Sequence, residues 1–409
     1  MKILIVSQYF WPENFRINDL TAALVERGHQ VTVLTGYPNY PDGKIFDEFR
    51  ANPGGFSQYE GAEVIRVPLL PRGNGALRLM LNYASFVVTG MFIAPFKLRG
   101  RKFDRIFVYE TSPITVGLPS SVLRRIKRAP VAFWVLDLWP ETLRAVGVIK
   151  SERVLGWVGK LVTFIYNRCD VILAQSRSFI PAIRRHAGES ARVELLPSWA
   201  ESLFDDAENV SVAPELVPFD GKFKIVFAGN IGEAQDFPAI LDAAYALRER
   251  TDIQWIIVGD GRNAAWVASE IKTRGLGSTV SMLGRFPLDR MPSFYAGADA
   301  LLVTLRADEI FAMTIPGKVQ SYLAAGKPIL GMLDGEGALV IEEAKAGYAC
   351  GAGNGEALAS LACRLADGGA TQRDDMGERG RAYYRANFHR DTVIQRLEDM
   401  LADLTLKSR

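Results

Sequence analysis

The stretch from residue 222 to residue 241, KFKIVFAGNIGEAQDFPAIL, decides the fold. Its apolar, β-branched first part reads as a buried strand, Gly229 and Gly232 supply a tight turn, and a helix starts after Asp236. Strand, glycine turn and helix N-terminus together form the repeating half of a doubly wound sheet. The turn leaves backbone N–H groups and a helix dipole facing whatever anion approaches.

Outward from this stretch the same rhythm recurs. IQWIIVGDG, TVSMLGR, DALLVTL, KPILGML and GYACGA follow it, and KILIVSQ, QVTVLTG, AEVIRV, DRIFVYE, PVAFWVLD, CDVILAQ and RVELLP precede it, alternating with helical patterns such as residues 16–28 and 152–167. Only SWAESLFDDAENVSVAPELVPFDG, residues 198–221, breaks the alternation with acids, prolines and little periodicity. These patterns predict an α/β protein of two Rossmann-like, doubly wound domains facing each other across a cleft. The domains span residues 1–200 and 222–385, with a linker over 201–221 and a terminal helix over 386–409.

A chain of 409 residues, 48% hydrophobic, can bury two cores and is not disordered. Cys169, Cys350 and Cys363 and the widely separated His29, His186 and His389 form no metal-ligand spacing and no disulfide framework. The opening MKILIVSQYF reads as a first buried strand rather than a signal peptide, which predicts a cytoplasmic protein.

Net charge is only +2, but it is unevenly spread: between Val64 and Leu136 twelve Arg or Lys face two acids, Asp104 and Glu110. Such a patch calls for a polyanion. The apolar run RLMLNYASFVVTGMFIAPFKLRGRK inside it favours an anionic membrane surface over nucleic acid. Asn82, Ser85, Gly90 and Pro95 interrupt that run, which predicts an interfacial helix rather than a spanning one.

Four loops after predicted strands share one anion-binding character. They carry Gly229, Asn230, Gly232 and Glu233; Gly259 and Gly261 in VGDGR; Arg285 and Phe286 in LGRFP; and Pro316, Gly317 and Lys318 at the helix start TIPGKVQSYL. Arg285 is a cation beside a stacking surface. Lys318 stands in a first helical turn, where a basic residue opposes the dipole unless an anion lies between them. One glycine turn is usually only a turn, but four on one sheet edge suit a nucleoside diphosphate.

The ordered series GHQVTVLTG, DLWPE, FAGNIGEAQDF, VGDG, LGRFP with PSFYAGADALLV, and PGKVQSYLAAGKPI resembles the family 4 retaining glycosyltransferases of the GT-B fold over nearly the whole chain. Within them it is similar to bacterial enzymes of O-antigen, capsule and colanic-acid synthesis, notably the L-fucosamine transferase group, whose members begin much like SQYFWPENFRINDL. The resemblance implies a UDP-sugar or GDP-sugar donor held by the second domain, and a terminal helix over 386–409 that crosses back to the first domain. It implies a polyprenyl-diphosphate-linked acceptor held by the first, no metal cofactor, and work at the cytoplasmic face of the inner membrane.

Against the family pattern, the customary phosphate-clamping Arg and Lys fall at Asn230 and Gln235, and the paired glutamates at Met313 and Ser321, so that Gln320 or Ser321 would hold the ribose. Asn14 and Phe15 replace a Gly-Gly turn, with Arg16 next, and Leu136 replaces a histidine. Lys318, Arg16 and Arg285 are left to carry positive charge for the diphosphate. For the chemistry, Asp137 and Glu141 of DLWPE lie four apart, on one helical face, and Glu110 ends a strand. Asp137 ranks first as acceptor base, then Glu110, then Glu141. Other readings consistent with this fold are a UDP-sugar epimerase and a GDP-fucose-dependent transferase.

Overall fold

The computed structural model describes residues 1–73, 75–145, 147, 149–204 and 210–406. The chain forms two compact units, one of Met1–Leu196 with Ile394–Arg409 and one of Pro197–Val393. Residues 205–209 of the expected linker and 407–409 of the expected terminal segment lie outside the described residues.

The first unit begins β1 Lys2–Val6, α1 Arg16–Glu26, β2 Gln30–Gly36, α2 Asp47–Ala51, β3 Gln58–Tyr59, β4 Ala62–Val67, α3 Ala76–Phe92 and α4 Ala94–Lys97. It continues β5 Arg105–Glu110, α5 Gly117–Lys127, β6 Val131–Val135, α6 Glu141–Ala145, α7 Glu152–Tyr166, β7 Val171–Ala174, α8 Phe179–Ala187 and β8 Val193–Leu195. The sheet order is β3-β4-β2-β1-β5-β6-β7-β8, parallel except for the β3–β4 pair. Helices cover both faces, so β1 from Ile3 onward and β6 are unbroken apolar runs rather than alternating ones. The strand order reverses between β1 and β5, and their carboxyl ends deliver Gln8, Tyr9 and Glu110 to one edge.

Buried Glu13 ties the loops of that edge together. It accepts the backbone N–H groups of Asn39 (2.7 Å), Tyr40 (2.8 Å) and Phe10 (3.1 Å). Burial pushes its carboxyl up to about 7 in spite of them.

The second unit contains β9 Phe223–Ala228, α9 Phe237–Ala246, β10 Ile253–Val258, α10 Ala264–Thr273, β11 Val280–Gly284, α11 Met291–Ala296, β12 Ala300–Thr304 and α12 Glu309–Met313. Then come α13 Gly317–Ala325, β13 Ile329–Met332, α14 Glu336–Glu343, β14 Gly347–Cys350, α15 Gly355–Ala366 and α16 Ala370–Asn387, and α17 Arg390–Ala402 begins in this unit. Its sheet, β11-β10-β9-β12-β13-β14, is parallel throughout and reverses between β9 and β12.

The expected linker over 201–221 is a correction. Its described part is packed into the second unit, where Phe204, Ala213 and Leu216 join the core and Phe204 stacks on Tyr295 at 5.3 Å between ring centroids. Apolar side chains at irregular spacing gave no periodic signal, yet they bury as well as periodic ones.

From Ile394 onward α17 belongs to the first unit, where Glu398 meets Arg27 (2.8 Å) and His29 (2.6 Å) and Arg105 donates to the Ala402 carbonyl (3.0 Å). No helix among the described residues is long and apolar enough to cross a membrane.

Candidate functional site

A cavity of about 670 Å³ lies beyond the carboxyl ends of the strands of the second unit. Three glycine turns and the start of α13 build it. Gly229 follows β9, Gly259 follows β10 and Gly284 ends β11, and the turns are hydrogen-bonded in series, Gly229 N–H to the Val258 carbonyl (2.9 Å) and Gly259 N–H to the Gly284 carbonyl (2.7 Å). Glycine is required here: a Cβ on Gly259 would lie 1.8 Å from the Gly229 carbonyl oxygen, and one on Gly261 2.4 Å from that of Ile231. The backbone at Gly259 also has φ +154.

A paired prediction follows. Gly259→Ala is expected to destabilise by about 2–4 kcal/mol and to abolish ligand binding, because only backbone could move aside. Gly317, whose added Cβ meets nothing within 4 Å, should accept Ala without change in thermal unfolding, so any loss of affinity there would report contact with the ligand itself.

Lys318 dominates the electrostatics. The residue as a whole is half-buried, but its ammonium is shut off from solvent and has no hydrogen-bond partner among the described residues. It lies 3.7 Å from the centroid of the Phe227 ring, beneath Gly229. Burial alone pushes its pKa down to about 7. A cation at a helix N-terminus, desolvated and without an acid, is a costly arrangement that an arriving anion would relieve.

Of the residues expected from sequence to hold a donor, Gly229, Asn230, Gly259, Gly261, Arg285, Phe286, Gly317, Lys318 and Ser321 line this one cavity. Gly232, Glu233, Pro316 and Gln320 do not. Glu233 is exposed, Pro316 caps α13, and Gln320 is turned away to donate to the Ser198 carbonyl (2.9 Å). Gln320 thus lies outside the cavity, whereas Ser321 lines it, its hydroxyl donating to the Gly317 carbonyl (3.2 Å). Sequence reasoning missed Glu201 and Phe204, hidden in the presumed linker, and Met291 and Tyr295 of α11, which complete the wall. Phe286 packs on Phe294 (4.8 Å between centroids), so one wall of the cavity is aromatic.

The remaining expected donor residues sit in the first unit, at the start of α1. Asn14 is exposed, Phe15 stacks on Tyr9 at 5.4 Å, and Arg16 opens the helix. At the same sheet edge, Glu110 and Asp137 come together. The Asp137 N–H donates to Glu110 Oε2 (3.3 Å), while the Asp137 carboxylate accepts from Trp139 Nε1 (3.0 Å) and Thr142 Oγ1 (2.6 Å).

The two acids are not equivalent. Glu110 is sealed from solvent, and burial first, then the Asp137 charge, pushes its carboxyl well above the ordinary range. It is corrected from an open cleft carboxylate to a buried one that accepts the Asp137 N–H. Glu141 is corrected too. It pairs with Arg185 (3.1 Å) and approaches His186 (3.8 Å), and these partners outweigh its burial and hold its carboxyl below the usual range. Glu141 thus joins α6 to α8.

Residues 14–199 match the family described as glycosyl transferase 4-like domain, and residues 222–367 match that described as glycosyl transferases group 1. Both halves of the chain thus resemble glycosyltransferase domains, and its two parallel α/β sheets are of the kind found in glycosyltransferases of the GT-B fold. Its similarities include the Escherichia coli (strain K12) protein named colanic acid biosynthesis glycosyl transferase WcaI, 28% identical over 80% of this chain and 82% of that protein. Glycosyltransferase WbjE of Pseudomonas aeruginosa is 26% identical over 71% of this chain and 73% of its own length. Among solved structures, Anabaena Alr3699/HepE in complex with UDP and glucose superposes with a TM-score of 0.66 at 18% identity, covering 99% of this chain and 100% of that one, which is a likeness of fold.

Proposed function

We propose that this glycosyltransferase moves one sugar from a nucleoside diphosphate to a polyprenyl-diphosphate-linked saccharide during synthesis of a bacterial surface polysaccharide. The observation that carries this is the shut-in Lys318 ammonium among glycine turns, which direct positive charge and backbone N–H groups at one cavity. The names of the WcaI relative and of the UDP-bound HepE structure support the polysaccharide setting and a UDP-linked donor. An N-acetylated deoxysugar such as L-fucosamine is the preferred cargo, with GDP-fucose as the alternative.

In this reading the sugar's C1–O bond to the diphosphate breaks, the acceptor oxygen bonds to the same face of that carbon with retention, and the acceptor proton passes to Asp137. The diphosphate charge is met by Lys318, Arg285 and backbone N–H groups, so no metal is needed. The work is done at the cytoplasmic face of the inner membrane, with the protein bound peripherally.

The test incubates the protein with UDP- and GDP-sugars, with and without a prenyl-diphosphate saccharide, in the presence of EDTA. Sugar transfer only when acceptor is present is expected. Epimerisation of a UDP-sugar without acceptor would overturn the assignment in favour of an epimerase.

A further inference from the structure

The outer surface of α3 is apolar where a solvated helix would be polar. Toward the core it presents Asn82, Phe86 and Gly90. On the opposite side Leu77, Leu81, Ala84, Val88 and Phe92 recur three or four residues apart, and the stripe continues into Phe96 of α4. These side chains are open to solvent, Phe96 by 77%, Leu77 and Phe92 by 66% and Val88 by 54%. No charged residue stands between Arg78 and Lys97.

Two further helices extend this surface. The connections β4 to β5, β5 to β6 and β6 to β7 all run in the same direction along the sheet, so right-handed crossovers put α3, α5 and α7 on one face. There α5 adds the exposed Ile126, and α7 adds Trp157, 74% exposed, and Phe164. Basic residues ring these apolar ones: Arg78, Arg99, Lys102, Arg125, Arg128, Arg153 and Lys160 are all exposed. Within the basic patch read from sequence, by contrast, Arg66, Lys97, Arg101, Arg105, Arg124 and Lys127 are tied to carbonyls or carboxylates of the fold. The apolar surface is thus the larger part of what this face offers, and the free cations are its rim.

We propose that α3 and α4, with Ile126, Trp157 and Phe164 beside them, lie within the interfacial layer of an anionic lipid bilayer, apolar side chains among the acyl chains and the basic rim on the headgroups. Charge complementarity selects the occupant: a second copy of this face would bring the rims cation against cation, whereas anionic headgroups neutralise them. An outward-facing Trp beside basic residues suits the boundary between headgroups and hydrocarbon. The proposal rests on the reading of the chain as a peripheral membrane enzyme but specifies a mode of attachment, partial burial of named apolar side chains, that electrostatic docking alone would not give.

The test is co-sedimentation with vesicles of phosphatidylglycerol and phosphatidylethanolamine at 0.1 M and 0.5 M NaCl. The parent protein should sediment at both salt concentrations, because screening weakens the rim and leaves the apolar contacts. Phe92→Asp with Phe96→Asp should lower vesicle partitioning about tenfold or more at either salt. Arg99→Glu with Lys102→Glu should bind less well than the parent at low salt and change little between the two salt concentrations, because the apolar contacts that remain are not screened. Thermal unfolding and transfer to a short, water-soluble acceptor should be unchanged in the Phe92/Phe96 variant, which separates attachment from catalysis.

Parent binding that vanishes at 0.5 M NaCl, or equal partitioning of the Phe92/Phe96 variant, would overturn insertion. A parent dimer in solution that the same variant disperses, without vesicle binding by either, would assign the surface to a second copy and likewise overturn it. Loss of transfer by the parent to every acceptor would instead strike at the enzymatic reading while leaving the vesicle result standing.

Discussion

Asp137→Asn is expected to lower turnover by about 10²–10⁴-fold, the usual worth of a positioned general base, with little change in donor affinity. Asn keeps one oxygen acceptor for the Trp139 or Thr142 hydrogen bond, so the fold should lose no more than about 1 kcal/mol. A variant retaining parental turnover would remove Asp137 from the chemistry and return the proton to the leaving phosphate.

Glu110→Gln serves as its companion. The folded carboxyl of Glu110 stands above its ordinary value of 4.5, so folded protein holds a proton that unfolded protein releases. Its contribution to stability is therefore lost as pH rises through that window. Gln cannot ionise, so Glu110→Gln should unfold at a higher temperature than the parent toward alkaline pH. Melting curves that shift equally with pH in both proteins would contradict the burial argument.

Lys318→Met should weaken UDP or GDP binding by roughly 1.5–3 kcal/mol, the range for hydrogen bonds to charged groups. Met keeps the length of the side chain and its contact with the Phe227 ring while removing the charge. The free protein should respond in the opposite direction. Lys318 titrates near 7 when folded and at 10.5 ordinarily, so between those values the unfolded chain holds a proton that the folded chain lacks. Stability then rises with pH across that window, and the full cost of the buried charge is present below about 7. Lys318→Met should accordingly unfold at higher temperature than the parent at pH 6–7, the gap closing as pH climbs toward 10.5.

A diphosphate arriving at pH 8 should draw close to one proton onto the Lys318 amine, converting it to the ammonium. Calorimetry in buffers of different ionisation enthalpy would detect it as an enthalpy that tracks the buffer in the parent and not in the variant. Buffer-independent enthalpies in the parent would place the anion elsewhere, with Arg285 the next cation in the cavity wall.

What could be read from sequence was local. A strand running into Gly229 and a helix opening at Gly317 declare themselves within a dozen residues, because turn geometry and helix-end electrostatics are properties of short segments. The α13 helix even closes where Gly326 says it should, in the left-handed conformation. What escaped was long-range. Phe204 reaches the cavity by stacking on Tyr295, and nothing near either residue announces the partner. Gln320 and Ser321 are neighbours in sequence, yet α13 turns one toward the Ser198 carbonyl and leaves the other at the cavity, a choice made by packing. Glu110 looked like a base because it ends a strand beside Asp137, and only burial revealed that solvent does not reach it. Similarly, counting cations between Val64 and Leu136 overstated the free charge, since a lysine or arginine bound to a carbonyl is indistinguishable in sequence from one left in water.

The outward stripe of α3 also bears on how partners find each other. A molecule laid on a bilayer by one face gives up one translation and two rotations before any acceptor arrives. Its search for a prenyl-linked saccharide then becomes diffusion in a plane, governed by molecules per unit area rather than by bulk molarity. Tethering two reactants to one surface raises their effective concentration as a linker would, with the membrane serving as the linker. For such an enzyme a Michaelis constant measured with dispersed acceptor describes a different encounter from the physiological one. The two should diverge most in variants that flatten the α3 stripe, whose turnover per bound acceptor is intact but whose rate of meeting one is not.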